Sequence, residues 1–333
     1  MQAQFRQILL IQTAFIGDVI LATVLIEKLK QYYPEAQIDF LLRKGNESLL
    51  QNHPKLREVI IWDKKQGKFK NLWNLTRQIR QKRYDLVVNV QRYASSGLLT
   101  MFSGGRIRVG FSANPMAWGF DRRIKHAFDG SHEADRNLAL ISEWTDSKRI
   151  RPALYPSEVD FEQIRPYQTQ PYICVAPTSV WFTKQWASEK WIDFLNQVPT
   201  TYKIYLIGAP TDLEACEHIA ETSQHKNVKI LAGKLSLLAS AALMQGAVMT
   251  YVNDSAPLHL ASSMNAPTCA VFCSTVPDFG YFPLSEQSTV IETKETLACR
   301  PCGIHGHRVC PEGHFDCAYT IDTKRLIDLL PAI

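Results

Sequence analysis

The chain has no apolar run approaching the roughly 20 residues that a membrane-spanning helix requires. Its first residues, MQAQFRQILLIQ, pass into a strand-like pattern without a signal-peptide cleavage site. Both absences lead to the expectation of a cytoplasmic protein. Neither GxGxxG nor GxxxxGKS/T occurs, which excludes a dinucleotide fingerprint and a phosphate-binding P-loop. There is no short-period repeat, no low-complexity tract and no recognisable nucleic-acid-binding module, so nucleic acid is not an expected partner.

The 333 residues, 46% hydrophobic and 21% charged, have the composition of ordinary soluble protein and exceed the usual size of one core. The net charge of +5 hides an asymmetry. Residues 1–155 hold 25 Lys and Arg against 14 Asp and Glu, whereas residues 156–333 hold 12 against 18. The basic half suits an anionic ligand or an anionic membrane surface, although solvated helix faces near 64–70 and 77–83 account for part of the excess.

Apolar strands alternate with helical patterns twice over. Strands are expected at 8–11, 38–42, 59–61, 86–90 and 107–109, with helices at 18–31, 69–83 and 95–102 between them. A Pro-rich polar passage at 155–170 reads as a linker. The alternation then restarts with strands at 172–176, 204–207, 228–231, 248–252 and 268–272, helices at 188–197, 212–223, 236–244 and 257–264, and a terminal helix at 322–330. This is βαβ logic: an α/β protein with two Rossmann-like parallel sheets, residues 1–155 and 156–333, facing across a cleft at the carboxyl ends of their strands.

Loops after strands are therefore the places to search. After the first strand, Gly17-Asp18 opens a helix and offers a carboxylate, or simply a first-turn partner for the helix dipole. In the second half, APTSVWFTKQWASEKWIDF (176–194) places Thr178, Ser179, Thr183 and Lys184 before a helix that Ser188 is expected to cap, with Trp186 and Trp191 reading as core. The segment AVMTYVNDSAPLHLASSMNAPTCAVF (247–272) runs from strand through Asn253-Asp254-Ser255 into a helix with Pro257 near its start. Backbone N–H groups there, beside Ser255 and His259, suit a diphosphate; an ordinary N-cap by Asp254 or Ser255 is the alternative.

The sequence IGDV at 16–19, QRYASSGLLTMFSGGRIRVGF at 91–111, APTSVWFTKQW, VNDSAPLHLAS and LACRPCGIHGHRVCPEGHFDC, in this order, resemble the ADP-heptose:lipopolysaccharide heptosyltransferases, glycosyltransferase family nine. The resemblance implies a GT-B architecture with acceptor on the first domain and nucleotide-sugar on the second. It implies inverting transfer from ADP-heptose to an anionic lipopolysaccharide core, at the cytoplasmic face of the inner membrane, with no cofactor needed for catalysis. By position, Asp18 matches the proposed base, Lys184 the donor-phosphate contact, and Asp254, Ser255 and His259 the donor turn. Two departures stand out. Ala256 replaces a Gly, which matters if that position needs positive φ or close phosphate approach, and Cys273-Ser274-Thr275 lacks the Gly of a later turn. An epimerase-like enzyme and a non-catalytic nucleotide-binding protein remain the alternatives.

Eight cysteines are present. Cys174, Cys216, Cys269 and Cys273 are scattered in apolar segments, whereas Cys299, Cys302, Cys310 and Cys317 cluster late among His305, His307 and His314. The cluster reads as a structural zinc site, or as reduced or disulfide-linked thiols fastening a loop, with the expected duty of holding the terminal helix.

Overall fold

The computed structural model describes residues 4–64 and 68–331, so part of the basic stretch 64–70 lies outside the described residues. The chain divides into two compact units between Tyr155 and Pro156. In the first, strands β1 (Gln7–Ile11), β2 (Gln37–Arg43), β3 (Glu58–Trp62), β4 (Leu86–Asn89), β5 (Ile107–Phe111) and β6 (Arg122–Ile124) alternate with helices α1 (Ile16–Tyr32), α2 (Lys68–Gln81), α3 (Ala94–Phe102) and α4 (Glu133–Ala139). All strand pairs are parallel, in the order β3-β2-β1-β4-β5-β6.

The second unit opens with helix α5 (Glu158–Ile164) and strands β7 (Tyr172–Ala176), β8 (Lys203–Leu206) and β9 (Val228–Ile230). It continues through β10 (Met249–Asn253), β11 (Thr268–Phe272) and β12 (Ser288–Glu292). Its other helices are α6 (Ser188–Gln197), α7 (Leu213–Thr222), α8 (Leu237–Gln245), α9 (Ala256–Ser263), α10 (Asp316–Tyr319) and α11 (Lys324–Ile327). Again every pair is parallel, in the order β12-β11-β10-β7-β8-β9. Counted from each unit's own first strand, the two orders are the same 3-2-1-4-5-6 Rossmann order.

The central strands fold this way because both faces are covered. Ile8, Leu9, Leu10 and Ile11 are solvent-inaccessible, as are Ile173, Cys174 and Val175, which is the burial a parallel strand under helices on both sides requires. Helix α1 is buried around most of its circumference from Val19 to Ile26 and stops just before Pro34. Among the described residues no helix is long and apolar enough to cross a membrane.

The structure adds elements that the sequence pattern did not reveal. β6 is three residues with two exposed arginines, and β12 buries only Ile291 well, so neither carries a clear period. The passage read as a linker contains α5, whose Ser157 cap accepts from the Asp160 N–H and which packs on α8. Only Ile164 of that helix is buried, too little for an apolar face to show. The terminal helix expected at 322–330 is only the short α11, and the short α10 precedes it.

Candidate active site

A strand order that reverses between β7 and β10 opens a crevice at their carboxyl ends. Val175 pairs with Tyr251 and Ala176 with Val252, so the segments leaving the two strands start side by side. Asn253 ties them together: its Oδ1 accepts from Trp186 N–H at 2.9 Å, and its Nδ2 donates to the carbonyls of Ala176 and Thr178, each at 3.4 Å. Trp186 is anchored from beneath, packed edge-on against Trp191 and donating its indole N–H to Ala318.

Lys184 and Asp254 meet across this junction at 2.7 Å, with side-chain exposures of 14% and 6%. Thr275, at the end of β11, donates its hydroxyl to the same Asp254 Oδ2 at 2.7 Å. The ordinary N-cap reading does not hold. Ser255 occupies the N-cap position of α9 but makes no cap hydrogen bond, its hydroxyl reaching only the Asn253 carbonyl, and Asp254 spends its carboxylate on Lys184 and Thr275. His259 lies buried in α9, edge-on to Tyr281. Thr178 and Ser179 are half-buried on the loop before Lys184, and the Ser179 carbonyl accepts from Gln185. Ser188 is not a cap either: it is the first residue of α6, and Ala187 precedes it in extended geometry. Ala256 lies in the first turn of α9 and has no positive φ, so its extra methyl strains no backbone.

The corresponding switch point of the first unit lies between β1 and β4. Asp18 sits in the first turn of α1, where its Oδ2 accepts from the Phe15 N–H at 3.1 Å. Burial pushes its carboxyl up to about 6, assisted by the negative charge of Glu133 and opposed by the Phe15 N–H and Arg92. Glu133 opens α4, which packs on α1. Burial works against its charge too, yet His126 at 3.1 Å and Arg136 at 2.9 Å outweigh it and hold Glu133 below the usual carboxylate range. Arg92, just beyond β4, approaches His126 at 3.5 Å. Sequence reasoning missed Glu133, His126 and Arg92. Only the position of Arg92 directly after a strand could have flagged it.

The profile of glycosyltransferase family 9 (heptosyltransferase) matches residues 72–312. The chain belongs to that family. It is similar to lipopolysaccharide heptosyltransferase 3 of Escherichia coli K12, 28% identical over 286 residues that cover 78% of this chain and 80% of that protein. In fold it is similar to the E. coli ADP-heptose lps heptosyltransferase II (TM-score 0.81, 22% identity, 97% of both chains). It is also similar to the family 9 glycosyltransferase of Veillonella parvula (TM-score 0.86, 22% identity, 99% of this chain and 97% of that one). The two parallel sheets are those of the GT-B architecture.

In this glycosyltransferase the late cysteines are all free, with Cys317 buried and Cys299, Cys302 and Cys310 half-buried. Cys299 Sγ lies 3.9 Å from His314 Nε2, but among the described residues no three His, Cys, Asp or Glu side chains are grouped to hold a metal ion. The loop leads into α10, where His314 meets Asp316, and Cys310 packs on the core that holds Ile321 and Leu326. It also lies on the Lys184 loop: Thr183 N–H donates to the His307 carbonyl, His307 N–H donates to Thr183 Oγ1, and Cys302 N–H donates to the Ser274 carbonyl.

Because the Asn253 amide bridges both strand ends, Asn253→Ala leaves a buried N–H and two carbonyls without that partner. We expect a loss of about 2–3 kcal/mol in urea unfolding. A change below about 0.5 kcal/mol would show that the junction does not depend on it.

Proposed function

We propose that this glycosyltransferase moves heptose from ADP-heptose to an anionic lipopolysaccharide core, inverting the anomeric carbon, with Asp18 as general base. The first unit would bind the acceptor, at the cytoplasmic face of the inner membrane, and the second the donor. The observation that carries the reading is the Lys184–Asp254–Thr275 group beside an α9 first turn that no side chain caps. Such a turn offers N–H groups, and Lys184 a cation, to a diphosphate. The similarity to lipopolysaccharide heptosyltransferase 3 and to ADP-heptose lps heptosyltransferase II supports the sugar and the acceptor class.

In the proposed step an acceptor hydroxyl oxygen bonds to the anomeric carbon as the carbon–oxygen bond to the diphosphate breaks. The electron pair leaves with ADP, whose growing charge is met by Lys184, His259 and the N–H groups near Ser255, with Thr178 and Ser179 lining the donor side. The hydroxyl proton passes to Asp18. A single carboxylate is sufficient, since the diphosphate leaves as an anion and needs no second carboxyl to protonate it. The basic balance of the first unit suits a phosphorylated or carboxylated acceptor.

Incubation with ADP-heptose and a truncated-core lipopolysaccharide should add one heptose to the glycolipid by mass spectrometry. Asp18→Asn keeps an acceptor for the Phe15 N–H. It should therefore melt as the wild type does while transferring about 10²–10⁴-fold more slowly. Wild-type transfer should decline as pH falls through about 6, because the base acts only when ionised and burial has raised the value at which it protonates. An Asn variant near the wild-type rate would sink the assignment.

Replacing Lys184 with Ala should weaken ADP binding by about 10–100-fold, the worth of a charge-assisted hydrogen bond. Unchanged affinity in a calorimeter would move the donor elsewhere.

Structural zinc at Cys299, Cys302, Cys310 and Cys317 is a separate proposal, supported by four thiols within one short loop; as placed they do not converge, so the ion would have to draw them together. It enters no step of the transfer. Elemental analysis should find about one zinc per chain, and its removal should lower the melting temperature. Zinc-free protein of equal stability discards the idea.

A further inference from the structure

The loop that carries the late cysteines is bound to the Lys184–Asp254 pair through two separate sets of contacts. The first is Arg300. Its Nε donates to the Cys273 carbonyl at 2.6 Å, and its Nη2 reaches the carbonyls of Phe272 at 3.3 Å and Thr275 at 2.7 Å and the Glu292 carboxylate at 2.5 Å. One guanidinium thus gathers three carbonyls at the end of β11, braced by a carboxylate on β12, and its own side chain is 12% exposed. The backbone it holds is that of Thr275, whose hydroxyl is bonded to Asp254, which in turn holds Lys184.

The second set is centred on Gly306. A β-carbon there would sit 2.7 Å from Thr183 Oγ1 and 3.1 Å from both Lys184 Cγ and Ser274 Oγ, and its φ of +71° already suits glycine. The neighbouring His307 exchanges two hydrogen bonds with Thr183, and Ser274 donates to the same Thr183 hydroxyl at 3.0 Å. Thr183 and Thr275 are thereby fixed from the same loop, on either side of the ion pair.

We propose that this loop is a supporting wall of the donor site and that Arg300 is a positioning residue, setting Thr275 and through it the Asp254–Lys184 pair. The inference rests on the proposed placement of the donor diphosphate at Lys184. Arg300 touches neither substrate nor reacting atoms. Its contribution is to hold a carbonyl arrangement that mutually repelling C=O dipoles would otherwise relax, and so to keep Thr275 from swinging away from the carboxylate.

The test is ADP titration calorimetry together with donor and acceptor KM on the full chain. Arg300→Ala should raise the ADP Kd and the donor KM about tenfold while the acceptor KM holds, and Arg300→Lys, with a single ammonium, should recover part of the loss. Thr275→Val should weaken ADP by a similar factor. The double variant should be scarcely worse than either single one, because both break the same linkage; a merely structural arginine would give additive losses. Should Arg300→Ala fail to fold, Arg300→Lys and Gly306→Ala carry the test, the latter pressing on Thr183 and Lys184 and raising the ADP Kd. Unchanged ADP affinity in the folded Arg300 variants, or additivity in the cycle, overturns the proposal when Lys184→Ala does weaken ADP. If Lys184→Ala has no effect, the failure belongs to the donor-site reading instead.

Discussion

Parallel pairing of a unit's first strand with its fourth is the constraint from which the rest follows. With β7 beside β10, the polypeptide leaves both strands at the same level and in the same direction, and helices on opposite faces carry the chain away from the gap between them. Polar side chains at those two exits then have each other as nearest partners. Asn253 satisfies the exposed strand-end groups, and Lys184 and Asp254 neutralise one another in a place that is mostly closed to water. An isolated ammonium so buried would be costly; paired, it remains available to a ligand that brings more negative charge than one carboxylate does.

The first unit has the same topology with different polar groups at its switch point. Two carboxylates, Asp18 and Glu133, stand near each other at the starts of two packed helices, and their surroundings push them apart in acidity. Glu133 is bonded by His126 and Arg136 and is held below the usual carboxylate range, whereas Asp18 has only backbone N–H partners and is raised to about 6 by burial and by its charged neighbour. A carboxyl with that value is a better proton acceptor than an ordinary aspartate and is still largely ionised near neutral pH. The helix-start role and the proposed base role of Asp18 are therefore compatible. The carboxylate bonds the Phe15 N–H through one oxygen while burial keeps its proton affinity high.

How much could be read from the sequence follows from what each feature needs. β1, β4, β7, β10 and β11 are legible because a strand covered on both faces must be apolar along its length. β6, β12 and α5 are not, since edge strands and a surface helix with one buried residue leave no period. Asp18, Lys184 and Asp254 could be singled out because each is a charge placed soon after an apolar strand. Their environments could not. Whether Ser255 caps α9 depends on a rotamer, and whether Ala256 is tolerated depends on a φ angle. Glu133 becomes a neighbour of Asp18 only once α4 has docked on α1.

The late cysteine loop marks the limit of local reading most clearly. It has no hydrophobic period and few buried side chains, and what orders it is a set of bonds to residues far away in sequence, such as His307 to Thr183 across 124 positions. Closing so long a span costs conformational entropy that a few hydrogen bonds offset only narrowly. The loop is therefore expected to open at lower free energy than the β7–β10 core beneath it. Support for the two proposed functions thus differs in kind. The carboxylate of the first unit is set by the packed helices α1 and α4 and shares the stability of its own unit's core, whereas the geometry around Lys184 and Thr275 depends on a polar clasp held by Arg300 and Gly306, and is the more easily loosened of the two.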